Sequence, residues 1–240
     1  MRLKHITFTG IDAKTDITAL EAIQKQYPIA EFGVLTSYHW NKNGNRYLNP
    51  AFMSLLYGSG LKGDLNLALH ICGSAAHDAA TGYWDKIDKF THRCLCMFKR
   101  IQLNIANRND NPEHCWMPDV VGQEIIIQQR NAHELDLFNC TMEEHKHRLF
   151  LGSFSVLLDA SGGRGIDTPF EVLQSNYKVG YAGGINPDNV GEKLSYLMEN
   201  ANGDFWIDME SGVRTDDWFD VDKVRKVLEI CTHIIQQYNN

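Results

Sequence analysis

Lysine and arginine are scarce in this chain of 240 residues. There are 23 of them against 30 aspartates and glutamates, which gives a formal net charge of −7 at pH 7. A protein of this charge repels a phosphate backbone, so the sequence argues against nucleic-acid binding. The chain also has no secretion signal and no apolar run near the roughly 20 residues that cross a bilayer, which predicts a cytoplasmic protein with no membrane partner.

The cysteines lack the spacing of a disulfide framework or a zinc site. Six of them are scattered through the chain, which favours reduced and mostly buried thiols. Neighbouring cysteines and histidines occur, but none has the C-x2-C or H-x3-H spacing of structural zinc ligands. These groups are Cys94-Leu-Cys96, His114-Cys115 and His145-Lys-His147. We therefore expect no metal and no other cofactor.

What the chain does contain is a repeated alternation of short apolar runs with longer helical stretches. Such βα units predict a parallel sheet, and an α/β barrel routinely takes about 250 residues as one domain, here residues 1–240. The eight predicted strands are Ile6–Gly10, Phe32–Ser37, Leu67–Gly73, Ile101–Asn107, Glu124–Gln129, Phe154–Ala160, Lys178–Gly183 and Phe205–Met209. The clearest predicted helices are Ile17–Gln26, Ala75–Phe98, Val190–Glu199 and Val221–Tyr238.

Eight strands close as a barrel or spread as a doubly wound sheet, and periodicity alone does not choose between them. The missing motif here is G-x-G-x-x-G, which would follow the first strand of a dinucleotide-binding sheet. Its absence favours a (β/α)8 barrel, the TIM-barrel class of α/β folds.

Polar residues occur in pairs two apart near the predicted strand ends. Residues at this spacing share one face of a strand, while their apolar neighbours face the other way and pack against helices. Such pairs are Thr7 and Thr9, His70 and Cys72, Gln102 and Asn104, and Asp208 and Glu210, and Asp159 has the same spacing from Leu157. A barrel built in this way has a polar mouth at its C-terminal end, where enzymes of this fold carry out their chemistry.

Glycine-rich turns follow the last three strands. The turns Tyr181–Asn189 and Glu210–Val213 would bring backbone N–H groups close to an anion, and barrels commonly bind phosphate at this position. The stretch Ser161-Gly-Gly-Arg-Gly165 is interpreted either as a lid that carries Arg164 toward an anionic substrate or as a surface loop.

These turns also carry a family likeness. Val156–Asp159 with Gly162–Gly165, then Ala182–Val190, then Ile207–Val213 resemble, in order and spacing, the last three strands of phosphoribosylanthranilate isomerase. That family is a tryptophan-pathway barrel that performs an Amadori rearrangement. Weaker matches lie further forward: Phe8–Asp12 resembles the first-strand motif, Arg46-Tyr47 an Arg-Tyr pair after strand two, and Ile101–Asn104 a fourth-strand Gln-Leu-His.

The resemblance implies a role for each matching position. Asp159 falls on the general acid that protonates the sugar ring oxygen, and Arg46 falls on the residue near the anthranilate carboxylate. Asn104 replaces the fourth-strand histidine in the substrate site. The phosphate cradle falls on Gly183, Gly184, Ser211 and Gly212. The partner implied is a small phosphorylated molecule, and the family's occurrence as monomers and as dimers leaves a homodimer open.

One departure from the family is chemically serious. The family's general-base cysteine on strand one is Thr9 here, and a threonine hydroxyl is a poor base unless another group activates it. Glu210 is the first choice as a replacement, because it follows a strand and precedes the phosphate turn. The other candidates are Cys72, His70 and Asp12.

Three functions are consistent with these residues. The first is an isomerase-like enzyme acting on a phosphorylated sugar by acid/base catalysis, in a site that would equally serve an epimerase or a lyase. The second is a non-catalytic barrel that binds a phosphosugar or nucleotide after losing the family base. The third is a structural or interaction protein whose ligand site is vestigial.

Overall fold

The computed structural model describes residues 3–39, 45–48, 52–57, 63–80, 83, 95–105, 123–131, 153–162, 164–169, 171–173 and 175–239. Eight parallel strands form a closed barrel in the order β1 to β8, with β8 paired to β1. Their bounds are Leu3–Thr9, Ala30–Thr36, Leu67–Cys72, Arg100–Asn104, Glu124–Gln129, Ser153–Asp159, Lys178–Ala182 and Phe205–Met209. A small hairpin, β9 (Arg214–Thr215) and β10 (Trp218–Phe219), follows β8.

Helices pack around the barrel through apolar stripes. The first, Ile17–Gln26, begins where the side chain of Asp16 accepts a hydrogen bond from the N–H of Thr18. The last, Val221–Asn239, buries residues three and four apart, and these are Val224, Val227, Leu228, Cys231 and Ile234. The other described α-helices are Ser74–Ala80 and Val190–Asn200, and residues 52–57 are also helical. No helix within these ranges is long and apolar enough to span a membrane.

The predicted barrel is confirmed, with strand ends displaced by a few residues. The predicted helix Ala75–Phe98 is tested only at its two ends, because residues 81–82 and 84–94 lie outside the described residues. Its start is confirmed as the helix Ser74–Ala80, whereas its end is a 3-10 turn, Leu95–Met97, that precedes β4. The prediction failed at its end because the N–H of Phe98 bonds to the carbonyl of Leu95, three residues back, so the chain turns tightly before the strand. Strand β4 ends at Asn104, short of the predicted Asn107, which lies outside the described residues.

The alternation predicted from the sequence is present in the barrel. The apolar neighbours of the polar pairs are buried in the core that surrounds the barrel, and these are Phe8, Ile71, Leu103, Leu158 and Met209. A separate apolar cluster of Ile126, Leu157 and Trp206 forms a layer within the barrel. Side chains two apart therefore line the barrel interior, as the pleat of a strand requires.

Ion pairs fill the N-terminal end of the barrel interior. Arg100 Nη1 lies 2.7 Å from Glu31 Oε1, and Lys178 Nζ lies 2.6 Å from Glu124 Oε2. The Arg100 guanidinium stacks 4.2 Å from the centroid of the Trp206 ring. This charged layer closes the bottom of the barrel and leaves the opposite end for a pocket.

Candidate active site

A pocket opens at the C-terminal ends of the strands. Strand residues that line it are Thr9, His70, Gln102, Asn104, Gln128, Leu157, Asp159, Ala182, Asp208 and Met209. Residues of the loops beyond the strands complete it, and these are Ser161, Gly165, Gly183, Gly184, Ile185, Glu210, Ser211 and Gly212. Eight of the ten residues predicted for the site therefore line one pocket, and Arg46 and Arg164 do not.

Asp159 is fixed on one side of the pocket by three donors. Gln128 Nε2 donates to Asp159 Oδ2 at 2.8 Å, and the hydroxyl of Ser161 donates to Asp159 Oδ1 at 2.7 Å. The N–H of Ser161 bonds to the same oxygen at 3.1 Å. The carboxyl group is thus held in one orientation at the end of β6.

Thr9 and Asp208 form a second polar unit in the pocket. Thr9 Oγ1 donates a 2.8 Å hydrogen bond to Asp208 Oδ1, and both residues are almost fully buried. Burial raises the pKa of Asp208 to about 8, with contributions from the nearby Glu31 and Glu210 carboxylates, while the Thr9 hydrogen bond opposes the rise. Asp208 therefore changes its charge near neutral pH.

Amide side chains and a buried imidazole form another part of the pocket wall. Gln102 Nε2 donates to Asn104 Oδ1 at 2.9 Å, and Asn104 Nδ2 donates to the Cys72 sulfur at 3.5 Å. Within the described residues, Gln102 Oε1 and His70 Nε2 are buried with no hydrogen-bond partner. Such atoms are costly to leave unpaired, so they are suited to a polar ligand or water.

The two strand-three candidates for the missing base are poorly suited to it. Burial raises the pKa of the Cys72 thiol to about 11, so the thiolate is rare at neutral pH. Burial, together with the Arg100 charge, lowers the pKa of His70 to about 3, so the imidazole is neutral and weakly basic.

Glu210 lines the pocket but is paired with a cation. Arg46 Nη1 lies 2.7 Å from Glu210 Oε1, and Arg46 Nε lies 2.9 Å from Asp217 Oδ1. Burial raises the pKa of Glu210, and the Arg46 charge opposes the rise. Arg46, predicted to bind substrate, and Glu210, predicted as the base, thus form an ion pair with each other at the barrel mouth.

Asp12 does not project into the mouth, contrary to the sequence expectation. Its Oδ2 accepts hydrogen bonds from Arg214 Nη2 at 3.0 Å and from the N–H of Phe219 at 2.7 Å, and the residue is fully buried. The ion pair with Arg214 draws the carboxylate toward the β9–β10 hairpin. Asp12 therefore anchors that hairpin.

The glycines after β7 and β8 lie where backbones pass closely. Gly184 has φ +64°, and a Cβ there would lie 2.4 Å from the Asp167 backbone. A Cβ on Gly212 would lie 1.9 Å from the carbonyl oxygen of Ile185. No side chain fits at these two positions, so the turns present backbone atoms to the pocket.

The loop after β6 is bound by a lysine of the helix that follows the β7 turn. Lys193 Nζ lies 2.7 Å from Asp167 Oδ1 and donates to the carbonyl of Thr168 at 2.8 Å. Arg164 Nε donates to the carbonyl of Ser161 at 2.8 Å, and Arg164 is exposed. Arg164 thus stands on its own loop, outside the pocket lining, and its role as a ligand to an anion stays a prediction.

Sequence reasoning gave no chemical role to two groups in the pocket. Asp208 was recognised as one of a polar pair, but its hydrogen bond to Thr9 joins residues 199 positions apart and leaves no local signal. Gln128, which holds Asp159, lies in β5, a segment that was predicted as a strand with no site residue in it.

Most of the cysteines and histidines considered as metal ligands lie outside the described residues. Only Cys96 among them belongs to the described residues, and it is exposed. Within the described ranges, no three His, Cys, Asp or Glu side chains are grouped as metal ligands.

Comparison with known proteins agrees with this architecture. Residues 120–230 match the family model described as N-(5'phosphoribosyl)anthranilate (PRA) isomerase. The solved structure of N-(5'-phosphoribosyl)anthranilate isomerase from Pyrococcus furiosus superimposes with a TM-score of 0.55 at 15% identity, covering 97% of this chain and 100% of that one. The structure of phosphoribosyl anthranilate isomerase from Thermococcus kodakaraensis superimposes with a TM-score of 0.53 at 14% identity, covering 98% of this chain and 99% of that one. No curated protein sequence matches the chain.

The structural matches are too distant in sequence to indicate more than the fold. The family model adds a sequence match over the part of the chain that holds β5 to β8, including Asp159 and the glycine turns after β7 and β8. Over residues 120–230 the chain is similar to the phosphoribosylanthranilate isomerase family, and its closed eight-stranded barrel is the fold that the two solved structures share.

Proposed function

We propose that this barrel is an isomerase of a phosphorylated sugar, of the phosphoribosyl type, that works by acid/base catalysis. The observation that carries the proposal is one shared pocket. The carboxyl groups of Asp159 and Asp208 line it together with the glycine turns after β7 and β8. Two carboxyl groups supply a proton donor and a proton acceptor, and a glycine cradle suits an anion.

The phosphate is expected to bind between the two turns. Gly183, Gly184, Ser211 and Gly212 all line the same part of the pocket, and close backbone packing keeps side chains out of it. Backbone N–H groups in such turns donate to phosphate oxygens without adding a charged side chain. Gly165 lies beside Ser211 and would close the cradle from the β6 side.

Asp159 is the proposed acid. In an Amadori-type isomerisation, its proton passes to the sugar ring oxygen as the C1–O bond breaks and the nitrogen on C1 becomes an iminium. A second group then removes the C2 proton. Its three hydrogen bonds keep Asp159 aimed into the pocket, which favours proton transfer to one defined atom.

The predicted binding residues form a second layer around this chemistry. Asn104 lines the pocket and is proposed to contact the substrate directly. Arg46 and Arg164 do not line the pocket, and they are proposed to bind an anionic group of the substrate at its edge. A cytoplasmic location and a homodimer also remain proposals.

Turnover of phosphorylated pentoses tests the proposal. Thermal shift assays would screen a panel that includes an N-substituted 1-amino-1-deoxyribulose 5-phosphate, and proton NMR would follow each stabilising compound. We expect turnover by the wild type and a loss of about 100-fold or more in Asp159→Asn, with binding retained. If no compound of the panel raises the thermal stability of the protein, the proposal is refuted.

Thr9 specifically favours one alternative, a non-catalytic phosphosugar or nucleotide binder. The residue at the family's base position cannot by itself accept a proton near neutral pH. The same assay separates the two functions, since a binder is stabilised by the ligand and returns it unchanged.

A further inference from the structure

We infer that Asp208, oriented by Thr9, is the proton acceptor that takes the place of the family's cysteine. The inference rests on the proposed isomerisation and assigns its second catalytic group. It also assigns Thr9 a positioning role, since its hydroxyl binds the acceptor and does not itself accept the proton.

Strand pairing brings the two residues together. Thr7 on β1 is in register with Asp208 on β8, so Thr9 lies one pleat further toward the mouth on the neighbouring strand. Thr9 Oγ1 then reaches Asp208 Oδ1 at 2.8 Å. The carboxyl group therefore stands beside the position from which the first strand would supply a base.

A glycine on β2 leaves the space that the Thr9 hydroxyl occupies. A Cβ on Gly33 would lie 2.6 Å from Thr9 Oγ1 and 3.1 Å from His70 Nε2. Any larger residue would therefore displace the Thr9 hydroxyl and its bond to Asp208. The glycine thus preserves the Thr9–Asp208 geometry.

Burial and the charged groups around Asp208 make it a usable base. Burial raises its pKa most, Glu31 on β2 and Glu210 just after β8 raise it further, the Thr9 hydrogen bond and Arg100 on β4 lower it, and the His70 imidazole on β3 is neutral. The result is a carboxyl group with a pKa of about 8. With that pKa about a tenth of the molecules carry the carboxylate at pH 7, and this carboxylate is far more basic than that of an ordinary aspartate.

The competing carboxylate is less suitable. Glu210 accepts a 2.7 Å hydrogen bond from Arg46, and an ion-paired carboxylate is a weaker base. Within the described part of the chain, Asp208 instead has one side-chain donor, the neutral hydroxyl of Thr9. Asp208 therefore keeps more of its basicity.

The proton transfers balance without a co-reactant. The Asp208 carboxylate takes the C2 proton, and the C2–H electron pair forms the C1–C2 double bond as the iminium π electrons return to nitrogen. Asp208 then returns this proton to C1, while the enol O–H proton leaves, C2 becomes a carbonyl carbon, and the released proton replaces the one that Asp159 gave to the ring oxygen. C2 is oxidised and C1 is reduced within the same molecule, so no external oxidant or reductant is needed and both carboxyl groups end as they began.

Deuterium exchange tests this assignment separately from turnover. The probe is an N-phenyl 1-amino-1-deoxyribulose 5-phosphate in deuterated buffer, with loss of its C1 proton signal followed by NMR. We expect exchange with the wild type, a loss of about 100-fold or more in Asp208→Asn, and partial recovery in Asp208→Glu. Glu210→Gln is expected to lose less than Asp208→Asn.

The outcomes distinguish the two proposals. An absence of exchange with the wild type overturns the isomerase proposal and this inference together. Full exchange in Asp208→Asn overturns the Asp208 assignment alone. Binding of ribulose 5-phosphate by each variant, followed by phosphorus NMR, shows that a lost rate does not come from a lost fold.

Thr9 variants test the positioning role through the pH profile of exchange. Thr9→Val removes a hydrogen bond that stabilises the carboxylate, so the pKa of Asp208 rises and the acidic limb of the profile moves to higher pH. Thr9→Ser keeps the donor and should keep the limb near pH 8. An equal loss of rate at every pH in Thr9→Val, without a shift of the limb, would contradict this role.

Discussion

Arg46 Nη1 lies 2.7 Å from Glu210 Oε1, so a rim cation from the loop after β2 is bound to a carboxylate that directly follows β8. Asp217, in the β9–β10 hairpin, holds the other side of the guanidinium at 2.9 Å. The pair links two sides of the barrel mouth and fixes both side chains relative to the pocket.

A double-mutant cycle measures this link. Arg46→Ala and Glu210→Gln should be non-additive, with a coupling energy below about 1 kcal/mol because both side chains are partly exposed to solvent. Urea unfolding of the four proteins at low and high salt provides the measurement, and coupling should weaken in high salt. Strict additivity at low salt would show that the pair contributes nothing.

Gly212→Ala is expected to weaken binding of ribose 5-phosphate by at least about tenfold. The Cβ of the new alanine would lie 1.9 Å from the carbonyl oxygen of Ile185, so the glycine turns after β7 and β8 must separate. Calorimetric titration measures the effect. Gly191→Ala is the matched control, because its Cβ would meet the Ile230 and Ile234 side chains at ordinary distances of 3.5 and 3.9 Å. Equal affinities in the two variants would contradict the role of the β8 turn.

Asp208→Asn is expected to stabilise the fold at neutral and alkaline pH. The folded pKa of Asp208 is raised from 3.8 to about 8, so the wild type loses stability as pH rises between these values. Asparagine does not ionise, so the variant's advantage in Tm should be small at pH 4, grow with pH and level off above pH 8. A Tm difference that is constant from pH 4 to pH 9 would rule out the raised pKa.

Arg100→Met should destabilise the protein by about 3–5 kcal/mol, because it leaves Glu31 and Glu124 without their buried partner. Thermal unfolding gives the measurement. Adding Glu31→Gln should recover part of the loss, since one unpaired charge is removed. Lys226→Met provides the control at an exposed ion pair with Asp188, and little change in Tm is expected there. A similar loss in both single variants would contradict the special cost of the buried layer.

Much of the architecture followed from the sequence because strand periodicity is local. The bounds of β5 and β8 were predicted to the residue, and the glycines after β7 fell at positive φ as a tight turn requires. The end of the predicted helix Ala75–Phe98 failed, since the 3-10 turn at Leu95–Met97 depends on how the chain enters β4. Local patterns carry no record of that packing.

The partners of individual polar groups were less predictable. Asp12 was expected at the barrel mouth because it follows β1. Its carboxylate instead binds Arg214, about 200 positions away, next to the β9–β10 hairpin. Asp208 gains its chemical character from burial and from Thr9 on a neighbouring strand. Both outcomes depend on barrel closure, which joins the two ends of the chain.

Calorimetric titration with ribose and ribose 5-phosphate is the most direct test of the central claim that this pocket is built for a phosphorylated sugar. The two compounds differ only in the phosphate group. The pocket predicts that ribose 5-phosphate binds at least about tenfold more tightly than ribose, because backbone N–H groups bond strongly to a charged acceptor. Equal affinity for both compounds, or no binding of either, would contradict the claim.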